Sequence, residues 1–141
     1  GSRRILRRVT DASTVEMLRS ARIFAGLSDE ELAQVASIAS EVEFPAGFVL
    51  TESGQVGSGM FVLLDGRVAV HARGVEVELG AGEVIGELAL LRRDMRRIAR
   101  VQALTPVRCL AISREPFRAL IASDVHLAVA LLENLADRVP D

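Results

Sequence analysis

From Val42 onward the chain meets a turn signal every few residues: Pro45-Ala46-Gly47, Ser53-Gly54, Gly57-Ser58-Gly59, Asp65-Gly66, Arg73-Gly74 and Gly80-Ala81-Gly82. The apolar runs between these signals are too short for helices with a buried stripe. They suit strands, and strands joined so closely pair antiparallel in a barrel or sandwich. Val68 and Val70, then Val75, Val77 and Leu79, alternate with Arg67, Ala69, Glu76 and Glu78 around Arg73-Gly74, the pattern of a tight hairpin. The alternation ends near Ile112.

Helical signals lie on both sides of this block. Ser13 to Ser40 reads as helices, with Asp11 or Ser13 as the cap of a first segment that carries Val15, Leu18, Ile23 and Phe24 and is interrupted at Gly26. Ser28-Asp29-Glu30-Glu31 has the capping-box arrangement, and Leu32, Val35, Ala36 and Ala39 follow at the spacing of one buried helix face. After the strands, Ser113 can cap a helix whose first turn holds Pro116. A second helix is expected from Asp124, with Val125, Ala128, Val129, Leu132 and Leu135 as the apolar stripe that covers the open side of the barrel. The expected class is α+β: an antiparallel β-barrel of jelly-roll or β-roll type, flanked by N-terminal helices and two C-terminal helices. At 141 residues the chain has room for one well-buried core. Residues 3–141 are read as one domain, with a helical lead 13–40, a β-roll 42–112 and helices 114–138, and Gly1-Ser2 resembles a tag remnant.

Several function classes lose support. Half the residues are apolar, yet charges break every run before the roughly 18 to 20 residues that cross a bilayer. The single cysteine, Cys109, sits in an apolar strand-like run and suits a buried thiol in a reducing compartment, so a cytoplasmic setting is expected, including as the cytosolic part of a larger membrane-bound protein. A net charge of −2 creates no field that favours nucleic acid, although Arg92, Arg93, Arg96, Arg97 and Arg100 crowd together. Arg92, Arg93, Arg96 and Arg100 read first, for the most part, as solvated or salt-bridged surface charge and second as a docking surface for an acidic partner, anionic lipid or nucleic acid. His71 and His126 stand far apart with no cysteine nearby, which gives a metal site poor support. Glu76, Glu83, Glu87 and Asp94 lack a nucleophile paired with histidine, so catalysis is not expected.

The segment with chemical content runs from Gly82 through Leu91 to Arg100. Gly86 lets backbone approach a ligand closely, and Glu87 to Leu91 can form a short turn whose amides face an anion. A downstream arginine adds a bidentate clamp on phosphate, and the acceptor-only carboxylate of Glu87 can hold a sugar hydroxyl. Phosphate and ribose together describe a nucleotide. The same residues would also serve as a surface turn with solvated charges.

Ile85-Gly86-Glu87-Leu88-Ala89-Leu90-Leu91 resembles the phosphate-binding cassette of cyclic nucleotide-binding domains, as in the catabolite activator protein, protein kinase A regulatory subunits and cyclic nucleotide-gated channels. Phe24-Ala25-Gly26-Leu27-Ser28 is similar to that family's helical lead, Pro45 to Leu50 to its first barrel turn, and Gly59 to Val68 to its hairpin. The resemblance implies that Glu87 binds the ribose 2′-hydroxyl, that amides near Gly86, Leu88 and Ala89 approach the cyclic phosphate, and that an arginine followed by Ile98 and Ala99 binds the phosphate. Arg97 suits that role because Ala99, Val101 and Ala103 then share an apolar face; with Arg96 in the role, Arg100 would turn inward. Ile98 brings no hydroxyl to a guanine, which implies cAMP over cGMP. The resemblance further implies a lid in which Leu131 or Leu132 reaches the base, with plain packing of the last helix as the other reading.

The expected activity is therefore ligand sensing, with no cofactor beyond the ligand cAMP or cGMP. The expected partners are the cyclic nucleotide, an effector domain outside this chain and a second copy as a homodimer, with no direct nucleic-acid binding. Two other readings stay open: a degenerate domain used for protein or membrane docking, motivated by Ile98 and Arg100, and the sensor half of a transcription factor.

Overall fold

A computed structural model describes residues 4–8, 12–86, 94, 96–97 and 99–136. Strand β1 (Arg4–Arg8) precedes helix α1 (Ala12–Arg19), a 3-10 turn (Arg22–Phe24) and helix α2 (Asp29–Ser37). Eight strands follow: β2 (Ala39–Phe44), β3 (Val49–Thr51), β4 (Gly59–Asp65), β5 (Val68–Ala72), β6 (Val75–Leu79), β7 (Val84–Ile85), β8 (Arg100–Ala103) and β9 (Val107–Ser113). Helices α3 (Arg114–Ser123) and α4 (Val125–Ala136) close the described chain. The strands form two antiparallel sheets, ordered β1-β2-β9-β4-β7 and β3-β8-β5-β6, in keeping with the antiparallel barrel or sandwich expected from the turn spacing and with the jelly-roll class expected for the chain.

The central strand β9 explains why the larger sheet holds two cores together. Cys109, Leu110 and Ile112 are all fully or almost fully buried, so both faces of the strand are covered. On one face Leu110 and Ile112 join Met60 and Val62 under the helices, against Phe24, Leu32 and Phe117. On the other, Val107 and Cys109 face the roll interior with Leu63, Val68, Val101 and Ala103. A continuous apolar run is what a strand covered on both sides requires.

Local chemistry sets the boundaries. Arg73 and Gly74 have φ of 53° and 78°, and Ala72 pairs with Val75 across them, so the β5–β6 hairpin turns on two left-handed residues, as the right-handed strand twist favours. Ser28 begins α2 with the full capping box: Glu31 N donates to Ser28 Oγ at 3.1 Å, and Ser28 N donates to Glu31 Oε1 at 2.9 Å.

Five features depart from the sequence reading. The helical reading of Ser13–Ser40 runs too far, because Ala39 and Ser40 open β2, pairing with Ile112 and Ala111; Ala39 fits the helical spacing, but the ladder to β9 takes it. Of the two expected caps of the first helix, Ser13 lies inside α1, and Asp11 lies outside the described residues. Strand β1 gave no signal, since Arg4-Ile5-Leu6-Arg7-Arg8 neither alternates nor ends at a turn pair; its register on β2 places Arg4 opposite Glu43 and Arg7 opposite Glu41. Ser113 occupies the cap position of α3, yet its side chain makes no capping bond, and the Arg114 amide donates to Ser58 O at 2.8 Å.

The fifth departure concerns the face of α4. Leu127 and Leu131 are buried, whereas Val125, Val129 and Leu132 of the expected stripe are 70%, 48% and 60% exposed. Both stripes are apolar, and polar ties settle the rotation: Asn134 Nδ2 donates to Ile23 O and Ala25 O, both at 2.8 Å, and Leu127 N donates to Asp124 Oδ1 at 3.1 Å. Among the described residues no helix is long and apolar enough to cross a membrane.

Two measurements check this packing. Leu127→Ala should destabilise the fold by about 2 to 5 kcal/mol in a denaturant titration, whereas Leu132→Ala should change stability by less than about 0.5 kcal/mol; equal costs would contradict the assigned helix face. The second uses Cys109, whose thiol is pushed by burial from 9.0 up to about 12. The unfolded thiol ionises at lower pH than the folded one, so the folded state is favoured in full below pH 9.0 and loses stability as pH rises toward 12. The slope reaches about 1.4 kcal/mol per pH unit. With no lysine or tyrosine in the chain, Cys109→Ala should flatten stability over that interval.

Candidate functional site

The β3–β8 pairing, with Thr51 opposite Val101, carries the chain from Arg97 into the smaller sheet. Arg97 is fixed before it enters that strand. Its amide donates to Gln55 O at 2.7 Å, and its carbonyl accepts from Gly54 N at 2.9 Å. With the main chain held on the Ser53-Gly54-Gln55 turn, alternation sends neighbouring side chains in opposite directions. Arg96 is exposed, bridges to Val56 and donates to Gly54 O at 2.7 Å. Arg97 is half-buried and turns inward. Farther along, Arg100 is exposed, 3.7 Å from Glu52, while Val101 and Ala103 are buried, so the apolar face expected for an inward Arg97 is present.

The Arg97 guanidinium meets neutral oxygens. Nη2 donates to Gly59 O at 2.8 Å, and Nη1 lies 3.5 Å from Gly86 O. Among the described residues no carboxylate pairs with it, and burial pulls its pKa below the ordinary arginine value. Arginine keeps its proton through such a shift, so the site holds a positive charge. Gly86 makes the approach possible: its φ is +76°, and a Cβ there would lie 1.8 Å from Arg97 Nη1 and 3.4 Å from Gly59 O. Glycine thus serves both the left-handed backbone and the close contact.

Arg97 and Gly86 line a cavity of about 160 Å³ with Thr51, Val70, Leu79, Val84, Ile85, Ala99 and Val101. Thr51 Oγ1 donates to Ala99 O at 3.1 Å, which ties β3 to the strand beyond it. The chemistry is one cation set in an apolar cup beside a glycine turn, an arrangement that takes a small anion attached to an apolar body. A larger groove of about 620 Å³ lies at the far end of β4 beside Asp65; it sets Glu43 and Asp65 against Arg108 and lacks this one-sided charge.

The structure therefore brings Gly86, Arg97 and Ala99 together. Glu87, Leu88, Ala89 and Ile98 lie outside the described residues. Leu131 is buried among the helices, Leu132 is exposed, and neither lines the cavity, because the rotation of α4 turns one into the core and the other away from it. Sequence reasoning missed Thr51, Val70, Leu79 and Val84 as lining residues. For Val70 and Leu79 a signal existed: Val68, Val70, Val77 and Leu79 alternate on one strand face, and their register as cross-strand pairs makes that face the wall of the cup.

The family profile described as "Cyclic nucleotide-binding domain" matches residues 41–124. A cyclic nucleotide-gated potassium channel of Rhizobium etli is 32% identical over 123 residues, covering 87% of this chain and 34% of the channel. The isozyme 1 cGMP-dependent protein kinase of Drosophila melanogaster is 33% identical over 118 residues, covering 77% of this chain and 15% of the kinase. Among solved structures, the N-terminal domain of a transcriptional regulator from Streptomyces coelicolor A3(2) superposes with a TM-score of 0.76 at 33% identity, covering 86% of this chain and 88% of that one. The chain spans about a third or less of the length of these two curated relatives. A profile match over more than half the residues, together with an inward arginine packed on a glycine turn inside a β-roll, places this chain in the cyclic nucleotide-binding domain family.

Proposed function

We propose that this chain is a regulatory module that binds a cyclic nucleotide, cAMP in preference to cGMP, and passes occupancy to an effector through its C-terminal helices. The observation that carries this reading is the half-buried Arg97 guanidinium, held by two carbonyl oxygens at the mouth of an apolar cup. A cyclic phosphate offers that cation an anionic acceptor with two oxygens for bidentate bonds, which adds ion-pair attraction to the hydrogen bonding that the carbonyls already provide. Amides at Gly86, Leu88 and Ala89 complete the phosphate site in this reading, and Glu87 holds the ribose 2′-hydroxyl. Ile98 and Ala99 put no hydroxyl directly after the arginine in the sequence, which favours adenine over guanine.

The purine has an apolar surface available. Val75 and Val77 are 61% and 49% exposed, and Val77, opposite Val70, continues the wall that Leu79 begins. Burying a base there removes apolar area from water. The cavity of about 160 Å³ is smaller than the roughly 300 Å³ at the low end of ligand pockets, so binding requires the cup to widen. Of the two lid candidates, Leu132 can move over the base without leaving a core position, whereas Leu131 would have to leave one. A ligand shifts the helices only by the difference between its affinities for the two arrangements. The effector lies outside this chain, and the buried Cys109 thiol suits a reducing, cytoplasmic setting.

Isothermal calorimetry with cAMP and cGMP tests the site. Arg97→Ala should weaken cAMP binding by about 2 to 5 kcal/mol, the cost of removing one partner of a buried charge pair. Gly86→Ala should weaken it as well by displacing the guanidinium. Equal affinities in wild type and Arg97→Ala would overturn the assignment. Thermal unfolding addresses the reading as a docking unit: at about 100 times Kd a true ligand adds roughly 2.7 kcal/mol, and no rise in Tm with any cyclic nucleotide would favour docking.

A further inference from the structure

Three consecutive carbonyls before and at the start of β4 are divided between the site arginine and the first residue of α3. Gly57 O accepts from Arg114 Nη1 at 3.0 Å, and Ser58 O accepts from the Arg114 amide at 2.8 Å. Gly59 O accepts from Arg97 Nη2 at 2.8 Å. The segment is pressed flat against the end of β9: Gly59 pairs with Ser113, and a Cβ on Gly59 would lie 2.3 Å from Ile112 O. The Arg114 side chain is only 12% exposed, so its bond to Gly57 O is sheltered from water. One turn beyond Arg114, Phe117 enters the helical core, and α3 packs against α4.

We propose that Gly57–Gly59 is a relay between the anion site and the C-terminal helices, with Arg97 as its latch and Arg114 as the positioning residue that couples it to α3. This rests on the reading of Arg97 as the phosphate ligand. The donors that Arg97 turns toward Gly59 O and Gly86 O are the ones a phosphate would compete for, and the negative acceptor wins over neutral carbonyls. Once Arg97 turns to the ligand, Gly59 O loses the side-chain donor it has among the described residues at a part-buried position, and weakening a buried acceptor in this way is costly enough to make the segment shift. Gly57 O and Ser58 O move with it, carrying Arg114 and the first turn of α3. The shift reaches α4 through Phe117 and the α3–α4 contact.

Amide hydrogen exchange on the whole chain tests the relay with two variants. Without nucleotide, Arg97→Ala should speed exchange of the Arg114 amide and the first turn of α3 roughly tenfold, the effect of losing one hydrogen bond to a charged group. In wild type, saturating cAMP should change exchange at 57–59, in α3 and in α4. In Arg114→Ala at saturating cAMP the change at 57–59 should persist while that in α4 is markedly reduced, the main-chain bond of residue 114 to Ser58 O being all that remains of the coupling. Arg114→Lys, which keeps a donor for Gly57 O, should restore the α4 response, a rescue that a purely structural role would not show and that guards against a misfolded alanine variant. Unaltered exchange of α3 in nucleotide-free Arg97→Ala, or an α4 response of wild-type size in Arg114→Ala, would overturn the relay. If cAMP binds and the second result appears, the relay alone falls. If Arg97→Ala loosens α3 but no cyclic nucleotide alters wild type, the latch stands, and both the nucleotide reading and its ligand-driven release fall.

Discussion

A guanidinium inside a largely apolar roll is the constraint on which the candidate site depends. Arg97 cannot discharge itself, so burial leaves it positive, and its acceptors are main-chain oxygens at Gly59 and Gly86 rather than a carboxylate among the described residues. Such a cation is satisfied enough to fold and retains affinity for an anion. The surrounding features serve that balance. Gly86 gives up its side chain to admit the guanidinium, and the Gly54-Gln55 turn holds the main chain of Arg97 at both its amide and its carbonyl. The shift to β8 then carries Arg100 outward to Glu52 and Val101 inward.

The two cores divide the labour. The roll interior fixes the cup through Val68, Val101 and Cys109, whereas the helices gather on the opposite face of the larger sheet around Phe24, Leu32 and Phe117. β9 belongs to both and passes directly into α3. Helix α4 is held by two buried leucines and by the Asn134 amide on Ile23 O and Ala25 O, while its other apolar stripe faces solvent. An element secured by few contacts opens at lower free energy than a core strand, which suits the movement proposed for it.

Much of this was legible in the sequence because the relevant signals are local. Arg73-Gly74 demanded left-handed backbone, Ser28 and Glu31 formed a reciprocal pair within one turn, and parity along the strand set Arg97 inward and Arg96 outward. What escaped depends on distant partners. β1 exists only because the edge of β2 accepts it, and the rotation of α4 depends on carbonyls more than a hundred residues away, at Ile23 and Ala25. Ser113 looked like a cap, but its side chain makes no capping bond, and Pro116 at the third helical position has no N–H to offer it. Thr51 joined the cup through the β3–β8 register, which no run of neighbouring residues encodes.

The most direct measurement follows the side-chain N–H resonance of Arg97 while cAMP and, separately, adenosine are added. Adenosine shares the base and ribose but lacks the phosphate. A large shift with cAMP and none at that resonance with adenosine is expected. The same response to both compounds, or to neither, would contradict the assignment of Arg97 to the phosphate.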